Sequence, residues 1–598
     1  MLSILTKKIM SINLLLFFTA VLFFSCQKQM SFENDETVTK APDLSTKINS
    51  SVSGFVTDEN GAAVLGASVQ FGATIINTDK YGYFEATNVQ VIKEAAVVTV
   101  NKPGYFKGIK TYMAKEGKAA FFRIKLIPKS IVGNINATSG GVVTLSNGLI
   151  IKLPAAAVVN AVTNVAYTGR VNVAAYWINP EAADLNKIMP GDLRGINIDG
   201  AIKLLQTFGM AAVELTGASG ELLQITGGKK ATLTLTIPPL LSATAPATIP
   251  LWYFDEAKGL WKEEGRATKT GNTYVGDVSH FSFWNCDIPG TFVQFNCTLK
   301  NSAGNPLPYT YVRITVVGTT NLAWGYTDAS GYVSGFLPNN SNLIMEVFSD
   351  YTCTTPIYTQ TFITTNANIS LGIITIPTTN YIATISGTIT NCASTPVTNG
   401  YIILKEGNVF TRYPLDSVIV GAYSFNKIFC SFPQTITLTG EDISNLQQSA
   451  EVTYVVNAGT NTVGNIQACG VSTQQFINYT INSIPYVFTE PSSTFFYSNN
   501  SQSSLNLSGY TQIPSANSLF INMSNAGLGG GSILDLQFFR ASQIPDSMIV
   551  TTPVIVNITE YGPVGQFAAG SFSGILTGAP PANIPYNVTC NFRIRRTN

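Results

Sequence analysis

Short runs of alternating apolar and polar residues recur along most of the chain, and turn residues separate them. The stretch SVSGFVTD (51–58) alternates and leads into the turn DENG (58–61), and GASVQFG (66–72) and KATLTLTIP (230–238) alternate in the same way. Alternation with a period of two places one face of a strand on a core, so these runs predict β-strands. Only NPEAADLNKIM (179–189) has a helix-like pattern. The chain is therefore predicted to be all-β.

The order of strands and turns in the first stretch returns twice further along the chain. A second copy runs through FNCTLKNSAGNPLPYTYVRITVVG and on to residue 338 (295–338), and a weaker third copy begins at ATISGTITNCASTPV (383–407). The last strands of these two copies also align, because 358–376 parallels 450–468. Repeats of about 90 to 100 residues predict tandem β-sandwich domains arranged like beads on a string.

The residues shared by these copies resemble those of the carboxypeptidase regulatory-like domain. That resemblance implies a seven-stranded, prealbumin-like β-sandwich. In the first copy it is carried by Gly54, Val56, Asp58, Gly61, Gly66, Ala67, Val69, Thr78, Asp79, Gly82 and Phe84. In the second copy it is carried by Gly304, Pro306, Leu307, Val312, Thr327, Asp328, Gly331 and Tyr332.

The region between the first and second copies has a different pattern of aromatic residues. It resembles the extracellular β-domain of cartilage intermediate-layer protein and its relatives, on Trp252, Gly259, Trp261, His280, Phe281, Ser282 and Trp284. This resemblance implies an adhesive or matrix-like module without catalytic activity.

The amino terminus has the pattern of an export signal. Lys7 and Lys8 precede the apolar run SINLLLFFTAVLFF (11–24), and Ser25 stands directly before Cys26. The run is shorter than the ~20 residues that a membrane span needs. It resembles a bacterial lipobox, which implies cleavage before Cys26, lipidation of its thiol and attachment to the outer membrane. The cell surface is the expected face, and the periplasmic face is the alternative.

Together these patterns predict seven segments. They are a lipoprotein signal peptide (1–25), a flexible tether (26–50), a first regulatory-like sandwich (51–130), a β-rich module like that of the cartilage protein (131–289), a second sandwich (290–378), a degenerate third sandwich (379–482) and a carboxy-terminal β domain (483–598).

Composition narrows the range of partners. Charged residues make up 12% of the 598, about half the usual share, and the formal net charge is +1. Such a chain has no global basic field that would attract nucleic acid. The expected partners are the membrane, through the lipid anchor, and an unidentified protein or polysaccharide ligand.

The cysteines favour structural disulfides, because an exported chain meets an oxidising compartment. After Cys26 seven cysteines remain, and this odd number leaves at least one of them unpaired within the chain. The candidates for pairing are Cys286, Cys297, Cys353, Cys392, Cys430 and Cys469. No CxxC motif or Cys/His cluster occurs in the sequence, so neither a zinc site nor any other cofactor is predicted.

Catalytic chemistry has little support in the sequence. The chain has one histidine, His280, which excludes a site that needs two imidazoles, such as that of a zinc carboxypeptidase. His280 is predicted to be a half-buried strand residue that packs on Trp261 or Trp284. The turn DENG (58–61) lacks the ligand spacing of a calcium loop, and Asp58 is better explained as a residue that caps its own turn.

Aromatic residues near the turn at Thr327 and Asp328, in the second copy, are the remaining functional signal. Trp324, Tyr326 and Tyr309 are candidate ligand contacts, and the alternative is that they fill the core. The sequence thus predicts a non-catalytic envelope lipoprotein for binding, adhesion or scaffolding. The alternatives are a carbohydrate-capture lipoprotein of a glycan-uptake system and a hydrolase with an unrecognised site.

Overall fold

The computed structural model describes most of the chain after residue 40. The described residues are 41–319, 322–349, 353–377, 381–473, 475–482, 484–489, 493–501, 504–511, 518–527, 530–539, 547–549, 554–561, 567–578 and 584–595. The predicted signal peptide, Cys26 and the tether up to residue 40 lie outside them. None of the helices in this part of the chain has the length and apolar character needed to cross a membrane.

The first sandwich pairs a sheet of three strands with a sheet of four. The three-stranded sheet has the order β4-β1-β7 and the four-stranded sheet the order β3-β2-β5-β6. Its first strand starts at Lys47, so the last four residues assigned to the tether belong to the sandwich instead. The strands are β1 (Lys47–Thr57), β2 (Ser68–Phe71), β3 (Thr74–Asn77), β4 (Tyr83–Ile92), β5 (Ala96–Asn101), β6 (Gly108–Tyr112) and β7 (Ala119–Lys125).

A central module of one large, 13-stranded sheet follows. Its strands are β8 (Ile131–Asn136), β9 (Gly141–Thr144), β10 (Ile150–Leu153), β11 (Val158–Asn160), β12 (Arg170–Ile178), β13 (Arg194–Ile196), β14 (Ile202–Thr216), β15 (Leu222–Ile225), β16 (Ala231–Thr236), β17 (Thr248–Asp255), β18 (Leu260–Thr270), β19 (Thr273–Val278) and β20 (Phe283–Gly290). The predicted helix is confined to one turn, α1 (Leu185–Ile188), and a 3₁₀ turn spans Pro239–Leu241.

The second and third sandwiches come next. The second comprises β21 (Phe292–Asn301), β22 (Tyr311–Val316), β23 (Leu322–Tyr326), β24 (Tyr332–Pro338), β25 (Asn342–Phe348), β26 (Tyr358–Ile363) and β27 (Ile369–Ile376). The third comprises β28 (Ile382–Thr390), β29 (Gly400–Glu406), β30 (Val409–Pro414), β31 (Ala422–Ile428), β32 (Gln434–Asp442), β33 (Gln447–Gln448), β34 (Val452–Val456), β35 (Gly459–Gln467) and β36 (Val471–Ser472).

The chain ends in a ten-stranded antiparallel sheet. Its first strand, β37, pairs with the last strand, from Phe476 opposite Arg593 to Ile481 opposite Val588, so residues 476–481 belong to this sheet and not to the third sandwich. The strands are β37 (Phe476–Ile481), β38 (Ile484–Thr489), β39 (Ser493–Ser501), β40 (Ser504–Thr511), β41 (Ser518–Gly527), β42 (Gly530–Phe539), β43 (Ser547–Ile549), β44 (Ile555–Tyr561), β45 (Phe567–Gly578) and β46 (Pro585–Arg595).

The three sandwiches share one topology. Their three-stranded sheets have the orders β4-β1-β7, β24-β21-β27 and β31-β28-β35, and in each the central strand runs parallel to the last strand of the repeat. The opposing sheets have the matching orders β3-β2-β5-β6, β23-β22-β25-β26 and β30-β29-β32-β34. The prediction of an all-β chain of tandem β-sandwiches is confirmed.

An Asp or Asn closes the first turn of every sandwich by bonding to its own backbone. The Oδ1 atom of Asp58 accepts hydrogen bonds from the backbone N–H groups two and four residues later, and Asn301 and Asn391 do the same in the second and third copies. These bonds satisfy backbone donors where the ladder ends. Asp58 therefore has the turn-capping role predicted for it.

A threonine ties the second turn to the core in the first two copies. The buried Thr327 hydroxyl donates to the Leu307 carbonyl at 2.7 Å and accepts the Thr310 N–H at 2.8 Å. Thr78 makes the same pair of bonds, to Val64 and Ala67. The threonine that precedes aspartate in both copies therefore has a structural role.

Replacing Thr327 with valine is expected to destabilise the second sandwich by about 1–3 kcal/mol, because a buried carbonyl and a buried N–H lose their partner. Hydrogen exchange of strands β22 and β23 would measure this loss. Thr359→Val, at an exposed position on β26, is the matched control and should leave the protection of these strands unchanged. Equal protection in both variants would contradict the assignment.

Candidate functional site

A cleft of about 1,320 Å³ lies where the first sandwich, the central module and the second sandwich meet. The first sandwich contributes residues around 110–123, the central module residues around 180–193, and the second sandwich residues within 311–348. The volume exceeds the roughly 300–1,000 Å³ of ordinary small-molecule sites. We therefore treat this cleft as the candidate functional site.

Arg194 joins the three modules behind the cleft. Its side chain is 1% exposed, and its Nη1 donates to the Glu94 carbonyl of the first sandwich at 2.7 Å. Its Nε and Nη2 lie 2.8 and 2.7 Å from Asp192 Oδ2 in the central module. The guanidinium carbon is 4.3 Å from the ring centre of Phe336 in the second sandwich. A buried charge with partners on three modules fixes their relative positions.

Two lysines of the first sandwich lie on the wall of the cleft. The Nζ atoms of Lys115 and Lys118 are 5.2 and 4.8 Å from the ring centre of Tyr332, which belongs to the second sandwich. Lys118 also donates to the Ser330 hydroxyl at 3.3 Å. Within the described ranges neither lysine forms a salt bridge. Their positive charge is therefore available to a ligand.

Lys110 and Asn186 form a buried polar pair of residues deeper in the wall. The Lys110 ammonium donates to the backbone carbonyls of Asn186 and Met189, at 2.8 and 2.7 Å, and so caps the carboxy-terminal end of α1. The side-chain amide of Asn186 is 91% buried and neither its Nδ2 nor its Oδ1 has a hydrogen-bond partner. An unpaired buried amide is costly unless a ligand or water satisfies it.

The buried lysine predicts a pH dependence of stability. Burial lowers the pKa of Lys110 to about 7 from its ordinary 10.5. Between these values the unfolded chain binds a proton that the folded chain has lost, so the free energy of unfolding should rise as the pH rises from about 7 to 10.5. Lys110→Met should remove this contribution, which comparing urea denaturation of the two proteins across that pH range would measure. An unchanged pH slope would contradict the assignment.

A second junction joins all three sandwiches around Arg123. Its Nη1 donates to the Phe410 carbonyl at 3.1 Å and its Nη2 to the Thr411 hydroxyl at 3.2 Å, both in the third sandwich. Its guanidinium also lies 5.9 Å from the ring centre of Tyr326 in the second. The polar cavity beside it, of about 10 Å³, has room for about one water molecule.

Arg412 completes this junction from the side of the third sandwich. Its guanidinium lies 4.6 Å from the ring centre of Tyr83 in the first sandwich, and its Nη1 is 3.9 Å from Asp79 Oδ2. Within its own sandwich, its Nη2 donates to Glu441 at 3.2 Å. The first and third sandwiches are therefore in contact, which an extended string of domains would not allow.

The three aromatics predicted as ligand contacts lie at these junctions and do not form an exposed platform. Trp324 lines the cleft but is half-buried and packs against the apolar cluster that the first sandwich shares with the central module. Tyr309 packs on Phe121, with ring centres 4.6 Å apart, and Tyr326 packs on the same ring at 5.8 Å. Tyr309 and Tyr326 thus pack between sandwiches, in keeping with the alternative that these aromatics fill a core, while Trp324 and Tyr326 also line the cleft.

Four of the candidate cysteines are paired. One disulfide joins Cys353 to Cys430 and so links the second sandwich to the third, and the other joins Cys392 to Cys469 within the third. Cys286 and Cys297 are unpaired, which corrects their inclusion among the candidates: each is buried in the core of a different module. Cys590 is also a buried free thiol.

His280 packs on Trp284, as predicted, with ring centres 5.1 Å apart, but it lies in a bend after β19 and not in a strand. Its other ring contact is Tyr253, at 4.6 Å. Burial lowers the pKa of His280, so its imidazole is neutral near pH 7. Among the described residues no group of three His, Cys, Asp or Glu side chains could hold a metal ion.

Sequence reasoning missed the residues that build both junctions. Arg123, Arg194, Arg412 and Lys110 are isolated cations in or beside apolar strands of a chain with few charges. A charged residue in such a strand can indicate a junction between modules, because a buried charge requires a partner. The partners, however, lie up to about 330 residues away along the chain.

The fold is that of an all-β protein of packed sandwich modules with a large cleft between three of them. No protein-family model and no curated protein matches the sequence. Among solved structures the chain is similar to the Bacillus anthracis TIE protein, at 9% identity and a TM-score of 0.15, over 71% of this chain and 51% of that one. The chain thus spans about half the length of that protein.

Two pilins are similar over shorter stretches. The shaft pilin SpaA from Lactobacillus rhamnosus GG matches at 12% identity and a TM-score of 0.16, over 30% of this chain and 99% of that one. GBS52, the minor pilin of Streptococcus agalactiae, matches at 9% identity and a TM-score of 0.14, over 30% and 97%. Similarity at this level assigns no function to the chain.

Proposed function

We propose that this chain is a non-catalytic binding and scaffolding protein of the cell envelope, anchored in the outer membrane by a lipid on Cys26. The observation that supports the binding role is the cleft between three modules whose positions are fixed by the buried Arg194. A wall built from rigid sandwiches holds a binding surface in place without the entropy cost of ordering it when the ligand arrives.

We propose a non-catalytic role because of the way in which the acidic side chains of the cleft are bound. Two of its four acidic lining residues in the described part of the chain, Asp192 and Glu346, are paired with Arg194 and Arg313 at 2.7 and 2.8 Å. A carboxylate that already holds an arginine is poorly placed to exchange protons with a substrate. The cleft therefore favours retention of a ligand over its conversion.

The binding role can be tested with the full chain carrying Cys26→Ala, which removes the lipidation site. Arrays of extracellular-matrix proteins, glycans and lipids would be probed with this protein, and saturable binding to one class is expected. Mass spectrometry of the recovered ligand should show it chemically unchanged. Turnover of any bound molecule would overturn the non-catalytic assignment, and binding to none would leave the binding role without support.

The anchor can be tested separately in cells. The natural chain should fractionate with outer membranes, and Cys26→Ala should release it, because one acyl-bearing residue carries the membrane attachment. Cys590→Ala is a control that removes a cysteine without affecting the anchor. Membrane fractionation of Cys26→Ala equal to that of the natural chain would refute lipidation. Protease treatment of whole cells would then show which face of the membrane carries the protein.

A further inference from the structure

We propose that the cleft between the first sandwich, the central module and the second sandwich binds an anionic amphiphile. Such a ligand has an apolar part of acyl-chain size and a carboxylate or phosphate headgroup. The inference rests on the proposed binding function and names the ligand class for it.

The apolar part of the ligand is indicated by the walls of the cleft. Aliphatic and aromatic side chains line it from all three modules, among them Met113 and Phe122 of the first sandwich, Leu185 and Leu193 of the central module, and Leu322 and Phe336 of the second sandwich. Apolar side chains that line an open cleft are exposed to water, and an acyl chain lying against them would remove that surface from water.

The negative charge of the ligand is indicated by the wall of the first sandwich. Among its described lining residues, Lys93, Lys115 and Lys118 outnumber the single acid of that wall, Glu116. Lys115 and Lys118 converge on the ring of Tyr332 and lack acidic partners in the described part of the chain. Two ammonium groups that flank one ring, at the edge of an apolar cleft, are suited to a carboxylate or phosphate.

A glycan is a weaker fit to the same cleft. Sugar rings stack on exposed, coplanar aromatic faces, but Trp324 packs against the cluster shared by the first sandwich and the central module.

Binding can be measured on the full chain with Cys26→Ala, which prevents the protein's own lipid from competing for the cleft. Displacement of a fluorescent fatty acid would be followed with oleate, with dodecyl phosphate and with the neutral dodecyl maltoside. We expect one saturable site and roughly tenfold weaker binding of the neutral amphiphile than of dodecyl phosphate, which has the same chain. Laurate, which has the same number of carbons as dodecyl phosphate, is measured beside oleate, so that the carboxylate and phosphate headgroups are compared on chains of equal length.

Three variants locate the site. Lys115→Gln combined with Lys118→Gln should weaken the anions roughly tenfold and leave the neutral amphiphile unchanged. Ser334→Trp, at an exposed position on the cleft wall, should block all binding, and Thr453→Trp, exposed on β34 of the third sandwich, none of whose described residues lines the cleft, should not. Equal binding of neutral and anionic amphiphiles, or undiminished binding in Ser334→Trp, would overturn the inference.

Failure of the proposed ligand class can be distinguished from failure of the proposed function. A chain that captures a matrix protein or glycan but no amphiphile would refute the ligand class and retain the binding role. A chain that hydrolyses an ester-linked amphiphile would support the cleft as a lipid site and contradict the non-catalytic role.

Discussion

Replacing Arg194 with methionine is expected to destabilise the packed modules by about 3–5 kcal/mol, the cost of breaking a buried ion pair on one side. The change would leave the Asp192 carboxylate and the Glu94 carbonyl without their common donor and would remove the cation from the face of Phe336. Hydrogen exchange should show the loss in the first sandwich, the central module and the second sandwich together, because the arginine has partners on each.

Arg170→Met provides the control for this variant. Arg170 is exposed and its Nε donates to Asn134 at 2.9 Å within the central module. A surface change of this kind usually alters stability by no more than about 0.5 kcal/mol. If both variants behaved alike, Arg194 would not be the residue that holds the modules together.

Removing the disulfide between the second and third sandwiches is expected to have a comparable effect. Cys353 and Cys430 close a loop with a sequence separation of 77, and a cross-link over a loop of that length restricts the unfolded chain by about 4 kcal/mol. Cys353→Ser combined with Cys430→Ser should therefore lower stability, and it should also let the two sandwiches unfold in separate transitions. Differential scanning calorimetry would resolve those transitions.

The chain contains an unusually close control for the disulfide variant. Cys392 and Cys469 have the same sequence separation of 77 but lie within the third sandwich. Replacing this pair with serine should lower the stability of the third sandwich by a similar amount and leave its coupling to the second intact. Identical thermograms for the two double variants would contradict the bridging role of the first disulfide.

Local patterns were sufficient to predict the individual sandwiches. Alternation fixed the strands, and the Asp, Asn, Gly and Thr residues at the turns have the bonding roles that their positions suggest, as Asp58 and Thr327 illustrate. These features depend on residues close together in sequence or on neighbouring strands, which is why repeated motifs could reveal them. The sequence pattern places the start of the first sandwich four residues too late. Three of the four residues in Lys47–Ser50 are polar, and only their pairing with β4 shows that they belong to the first strand.

The candidate site could not be predicted, because it is made by contacts between modules. Nothing local to Arg194 indicates that Glu94 and Phe336 lie beside it, and nothing local to Tyr81 indicates that Phe410 packs on its ring at 5.1 Å. The sequence did mark Trp324 as notable. It could not tell an exposed ligand contact from a side chain wedged between modules, since both favour a large aromatic residue.

The three sandwiches pack on one another, and the cleft lies between the first two and the central module. The most direct test measures the distance between the first and third sandwiches with spin labels at Gln70→Cys and Thr453→Cys, two exposed strand positions, in the chain with Cys26→Ala. The contacts of Arg123 and Arg412 predict a single narrow distance distribution. A broad distribution extending over tens of ångströms, as independently moving domains would give, would contradict the account.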